Sequence, residues 1–278
     1  MAQSKFASLA SQLGDEPCLV EDTEEMFWLR ELDDYQSRMA LGNALAGQYR
    51  FKEAMIAYEG AKKIRRDDWQ LYNRLGGASL TLRRFGAAWE HYQACLKLGA
   101  PIQAVALQIG VWHYLQGQYR KAAKWFARCL PCGDELAIAA IYWHTLSCYR
   151  CGEKPELLSQ YHKDMDVGHH TAYRLCVSVF SGETDWRGAL EQIRQERSEL
   201  NIVISLYGLS CYLGLIGEAE KSASCLRELL EHDALWPCIA YLAAWNDIAT
   251  DNSKKLDGSI MTARAVISWG SFSSLQEK

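Results

Sequence analysis

The sequence predicts an all-α solenoid of antiparallel helix pairs, and three observations carry that prediction. First, six residue columns recur at a fixed spacing of 34 without insertion. Leu41-Gly42, Leu75-Gly76 and Ile109-Gly110 open the copies, and Phe51, Phe85 and Tyr119 come nine residues after each glycine. Ala54, Ala88 and Ala122 follow, then Tyr58, Tyr92 and Phe126, and last the small residues Ala61, Cys95 and Cys129. Second, a period between about 20 and 50 residues marks a stacked-repeat architecture, and 34 suits one helix–turn–helix unit. Third, no segment of useful length alternates with the two-residue period of a strand. One such unit cannot bury its apolar face alone, so successive units must stack.

Each element follows from the columns. The pattern places paired helices near 37–48 with 52–65, 70–82 with 86–98, and 104–116 with 120–131. Glycine inside a helix costs about 1 kcal/mol relative to alanine, so Gly42, Gly76 and Gly110 at one column imply a packing reason. A hydrogen there lets two backbones approach. The alanine column gives the same clearance from the second helix, while Tyr58, Tyr92 and Phe126 fill the space between units. Residues 35–132 hold these three clear units, and residues 133–250 continue as degenerate helical repeats. There AIAAIYWHTLSCYRCG reads as a helix partnered by ELLSQYHKDM, and TAYRLCVSVFSG pairs with DWRGALEQIRQERSEL. Asn201 is placed to cap IVISLYGLSCYLG, which pairs with AEKSASCLRELLEH before a further helix, ALWPCIAYLAAWNDIA. Residues 251–278 comprise a polar linker, an end helix over IMTARAVISW and a frayed tail.

Composition excludes some classes. The chain has 278 residues, 49% hydrophobic and 23% charged, as expected of a globular protein. No window holds the ~18 apolar residues of a membrane span, so no membrane partner is expected. The first residues, MAQSKFASLASQLGDEP, lack the apolar run of a secretory signal, and one lysine argues against a transit peptide. Ten cysteines without an export signal read as free thiols in a reducing, cytoplasmic setting.

A net charge of −4 conceals three blocks. Residues 1–34 carry nine acids against Lys5 and Arg30, residues 35–132 fifteen bases against five acids, and the remainder is acidic again. In the first block Met26, Phe27, Trp28, Leu29 and Leu32 cluster on a short helix. This predicts an acidic N-terminal capping segment, with Phe27 and Trp28 buried on the first unit and acids meeting Arg50 and Lys52. Arg50, Lys52, Arg83, Arg84, Arg120 and Lys121 fall at the turns and would align along one edge. Such an edge attracts acidic protein. Nucleic acid ranks below it, because no aromatic residues interleave there for base stacking.

Chemical sites are few. Cys129-x-x-Cys132 and Cys148-x-x-Cys151 have the spacing of a zinc site. The helix between them separates the pairs by roughly 20 Å, whereas thiolates on one zinc lie about 4 Å apart. His162, His169 and His170 near Asp164 and Asp166 read as a solvated loop. No catalytic constellation, metal site or cofactor motif is expected, and the chain does not read as an enzyme.

The columns of residues 35–132 resemble the tetratricopeptide repeat: large residue, glycine, aromatic, alanine, aromatic, small residue. Arg66 and Ala100 stand where that family often has proline. The resemblance implies a right-handed superhelix whose first helices line a concave groove. Carried over, the groove residues are Gln36, Met39, Asn43, Ala46 and Gly47, then Gln70, Asn73, Gly77, Leu80 and Thr81, then Ala104, Leu107, Val111, Tyr114 and Leu115. Gln36, Asn43, Gln70, Asn73, Arg74, Gly77, Leu107, Val111 and Tyr114 are the candidate peptide-contacting set. The places where some members clamp a C-terminal carboxylate hold Met39, Asn43, Arg74, Ala104 and Gln108, of which only Asn43 fits. The implied function is a scaffold or adaptor binding a peptide, helix or partner subunit. A peptide-sensing helical-repeat regulator is the alternative, and an enzyme using Cys or His of the degenerate half ranks third.

Overall fold

The computed structural model describes residues 20–255, and every regular element among them is helical. The first three units are the hairpins α2 (Tyr35–Gly47) with α3 (Phe51–Ile64), α4 (Trp69–Thr81) with α5 (Phe85–Lys97), and α6 (Ile102–Leu115) with α7 (Tyr119–Phe126). A Cβ on Gly42, Gly76 or Gly110 would lie 2.3, 2.5 or 2.5 Å from a ring carbon of Tyr58, Tyr92 or Phe126. Only hydrogen fits there. Each ring thus seats on the glycine of its own hairpin, whereas the sequence reading sends it to the space between units. The Asp34 and Asp68 carboxylates accept the first N–H groups of α2 and α4, which sets those helix starts one or two residues before the expected positions.

One turn geometry recurs through both halves. The N–H groups of Arg50, Arg84 and Gln118 donate to the carbonyls of Leu45, Ser79 and His113 at 2.9, 2.8 and 2.9 Å. Before each stands a residue of positive φ: Tyr49 at 64°, Arg83 at 58° and Gly117 at 68°. The same closure follows Gly152, Gly182 and Gly217, with bonds from Glu153 to Cys148, Glu183 to Ser178 and Glu218 to Leu213. A non-glycine residue in this left-handed conformation costs roughly 1–3 kcal/mol, so Tyr49 and Arg83 store strain that glycine avoids in the other units.

Beyond residue 132 the hairpins loosen. α7 ends at Phe126 and passes into a 3-10 turn, Ala127–Cys132. The partner expected for α8 (Asp134–Cys151) is not an α-helix but a 3-10 turn, Glu156–Gln160, then irregular chain to α9 (Thr171–Phe180). Met165 and Val167 are buried while Asp164, Asp166 and Gly168 are exposed, a period of two that suits extended chain. α10 (Trp186–Gln195) follows, then the hairpin of α11 (Glu199–Leu215) and α12 (Ala219–Glu231). Ser198, not Asn201, caps α11, its hydroxyl accepting the Asn201 N–H at 3.3 Å. Pro237 divides the last expected helix into a 3-10 turn, Asp233–Leu235, and α13 (Ile239–Lys255). Residues 251–255 are therefore helical rather than linker, and the expected end helix IMTARAVISW lies outside the described residues. Among the described residues no helix is long and apolar enough to cross a membrane.

Two segments flanking the repeats, residues 24–31 and 233–255, fold back on the solenoid. α1 (Glu24–Glu31) packs on α2 through Met26, which is 1% exposed, whereas Phe27 and Trp28 are 61% and 68% exposed. The expectation that those two rings are buried is corrected: Met26 and Leu29, three residues apart, form the inward stripe. Asp22 meets Arg50 at 2.5 Å, and Arg50 also meets Glu53 at 2.7 Å. In the other segment Trp236 packs edge-on against Phe51 with ring centres 5.6 Å apart. The Arg83 guanidinium lies 4.3 Å over the Trp245 ring, and the Asn246 amide donates to the Leu115 carbonyl at 3.0 Å. α13 and the turn before it thereby touch all three leading units.

Candidate functional site

A concave cavity of about 500 Å³ opens between the first helices of the leading units and α13. Of the candidate residues, Asn43, Asn73, Arg74, Gly77 and Val111 line it, together with Ala46, Gly47, Leu80 and Thr81. Gln36 and Gln70 sit exposed in the first turns of α2 and α4, away from the cavity. Leu107 packs instead beside Ala106, Cys129 and Ala140. Tyr114 is 2% exposed, its hydroxyl 2.9 Å from that of Tyr207 on α11, so the degenerate half covers it. The cavity also draws in Phe51, Tyr58, Tyr92 and Gln108, and α13 adds Ile239 and Leu242. The tyrosine columns were visible in the sequence. Nothing local to Ile239 or Leu242 announces their place.

Polar satisfaction differs from unit to unit. In the first, the Tyr58 hydroxyl donates to Asn43 Oδ1 at 2.9 Å. One period later the same places hold Tyr92 and Gly77, so the Tyr92 hydroxyl loses its amide and has no hydrogen-bond partner among the described residues. Another period on, Phe126 and Val111 leave nothing to satisfy. Asn73 Oδ1 and Gln108 Oε1 are likewise buried without a partner among the described residues. All three orphaned atoms belong to residues lining this cavity. A buried polar group left unpaired costs about 1–3 kcal/mol, so the cluster calls for a ligand or water. Burial pushes the Tyr92 hydroxyl far above its ordinary range, which keeps it a donor. Arg74 adds a cation to the wall. A second cleft of about 530 Å³ beside α9 and α10 contains none of these orphaned atoms.

A Cys–His pair does exist, with Cys148 Sγ 3.7 Å from His144 Nδ1. Burial raises the thiol to about 12 and lowers the imidazole below its ordinary value, so neither partner is charged near neutrality. A thiol in that state is a poor nucleophile. Cys95 is similarly raised to about 12 by burial.

Half of the basic edge is engaged. Arg50 is buried between Asp22 and Glu53, Arg83 is stacked on Trp245, and Arg120 meets Glu153 at 2.7 Å. Lys52, Arg84 and Lys121 form no ion pair among the described residues, so at most these three of the six expected cations are unpaired and unstacked.

No family model and no curated protein matches this chain. Among solved structures, YrrB, a TPR protein with an unusual peptide-binding site, is 13% identical over 82% of this chain and 98% of that one, with a TM-score of 0.44. That likeness is one of helical-repeat fold alone.

Proposed function

We propose that this protein is an interaction module, a scaffold or adaptor whose concave cavity takes an extended peptide segment of a partner protein. The observation that carries this reading is the convergence of Asn73 Oδ1, Gln108 Oε1 and the Tyr92 hydroxyl, all buried and unpartnered among the described residues, on one cavity beside Arg74. Amide side chains both donate and accept, which matches the alternating N–H and C=O groups of a peptide backbone. Gly77 faces open space on the cavity wall, since a Cβ there would meet nothing within 4 Å.

The second reading, a regulator that senses a peptide, is favoured by one feature: Ile239 and Leu242 make α13 a wall of the cavity. An occupant would press on a helix that contacts the second and third units as well as α11 and α12.

A displayed library of random linear peptides, selected on the full chain, tests the proposal. Enriched peptides should lose at least about tenfold in affinity, or 1.4 kcal/mol, on the Asn73→Ala/Gln108→Ala variant. Enriched peptides that bind this variant and the parent equally would place recognition elsewhere.

A further inference from the structure

The irregular chain before α9 brings together side chains that the sequence leaves apart. Met165 and Val167 are 5% and 2% exposed and anchor this loop to the core. The Asp166 N–H donates to the Asp134 carboxylate at 3.1 Å, and the Asp166 carboxylate accepts the Gly168 N–H at 3.3 Å. The His170 N–H donates to the Val167 carbonyl at 2.8 Å. Gly168 has φ 51°, and a Cβ there would stand 1.9 Å from Glu135 Oε1. The carboxylate in the first turn of α8 thus rests directly on the glycine that precedes the two histidines. The rings of His169 and His170 lie side by side, with centres 4.2 Å apart and planes 37° from parallel. One ligand atom from each of Glu135, His169 and His170 lies within 4.8 Å of the other two. Among the described residues this is the sole group of three such donors.

We infer that Glu135, His169 and His170 bind one divalent first-row transition-metal ion of the zinc type. Two imidazoles and a carboxylate are the donor set such ions take, at about 2.0–2.2 Å from nitrogen and oxygen. Donors around one ion then sit roughly 3 Å from each other, so small rotamer shifts close the set. Glu135 and His169 are exposed and His170 half-buried, which leaves them free to make those shifts. Asp134 and Asp166, tied to each other through the backbone, add negative charge beside the donors. Three protein ligands leave a fourth position to water or to a donor from a partner. The bound ion would pin the loop that replaces the second helix of the fourth unit to the start of α8. This inference is independent of the peptide cavity and survives its failure.

The full chain, stripped with chelator and titrated with zinc chloride against a chromophoric indicator, should take up one equivalent. Glu135→Gln and His169→Ala should each weaken uptake at least tenfold, with helical circular dichroism unchanged. Cys151→Ser and His162→Ala should leave the affinity as it was. Cobalt(II) in place of zinc should give a spectrum without thiolate charge-transfer absorption. Undiminished binding by a His169→Ala/His170→Ala variant, a thiolate band in the cobalt form, or no uptake at micromolar zinc would each overturn the assignment.

Discussion

Gly76 and the Tyr92 ring form one contact across two helices, and substitution from either side reads it. A Cβ at Gly76 already falls 2.5 Å from the ring, so Gly76→Leu should destabilise by at least about 1–3 kcal/mol through overpacking. An unchanged melting temperature would contradict that packing. The two tyrosine hydroxyls make a sharper comparison. Tyr58→Phe strands Asn43 Oδ1 and should cost about 1 kcal/mol, whereas Tyr92→Phe removes an unpaired hydroxyl and should cost nothing or stabilise. Urea titration of both variants decides, and equal losses would show that Tyr92 has a partner after all. At this scale the glycine and ring columns were plain in the sequence. Tyr114 was misplaced in the groove because its cover, Tyr207, lies 93 residues away, beyond any local pattern.

Among elements, α1 shows how a sequence pattern leaves its orientation open. The apolar run Met26, Phe27, Trp28 and Leu29 offers a helix more than one face to bury. The structure turns Met26 and Leu29 inward, with Asp22 held below the usual carboxylate range chiefly by the Arg30 guanidinium and further by Arg50. Met26→Ala should therefore cost about 2–5 kcal/mol, while Trp28→Ala should stay within about 0.5 kcal/mol. Denaturant midpoints of the two variants check this, and a larger loss at Trp28 would reverse the face. The fourth unit was misread for a related reason: ELLSQYHKDM has helical composition, but Met165 and Val167 are buried two residues apart, as in extended chain. The glycines at 152, 182 and 217, by contrast, mark the degenerate turns in the sequence itself once the positive-φ column is known.

Across the whole molecule, the segment from Trp236 onward makes the solenoid more than a sum of neighbours. Repeat arrays ordinarily couple only adjacent units. Here Trp236, fully buried, touches Phe51, and α13 reaches Arg83 and Leu115. Trp236→Ala should cost about 3–5 kcal/mol and speed amide exchange in α3 as well as in α13. Loss of protection confined to α13 would make that helix an appendage. None of these long-range contacts was legible, because the 34-residue period specifies how neighbours stack and is silent on where a segment beyond the repeats lands.

The cavity walls run from Asn43 to Leu242 in the chain. The pocket is thus an object of high sequence separation, assembled last, although its polar lining is among the first parts made. While the ribosome is still short of α13, the leading units can fold and stack, yet their amides face an open trough rather than a walled slot. If the cavity takes the proposed peptide, competence to bind it would arrive in one step, when α13 docks. A nascent or prematurely terminated chain would carry the cavity's polar lining without the wall that Ile239 and Leu242 supply.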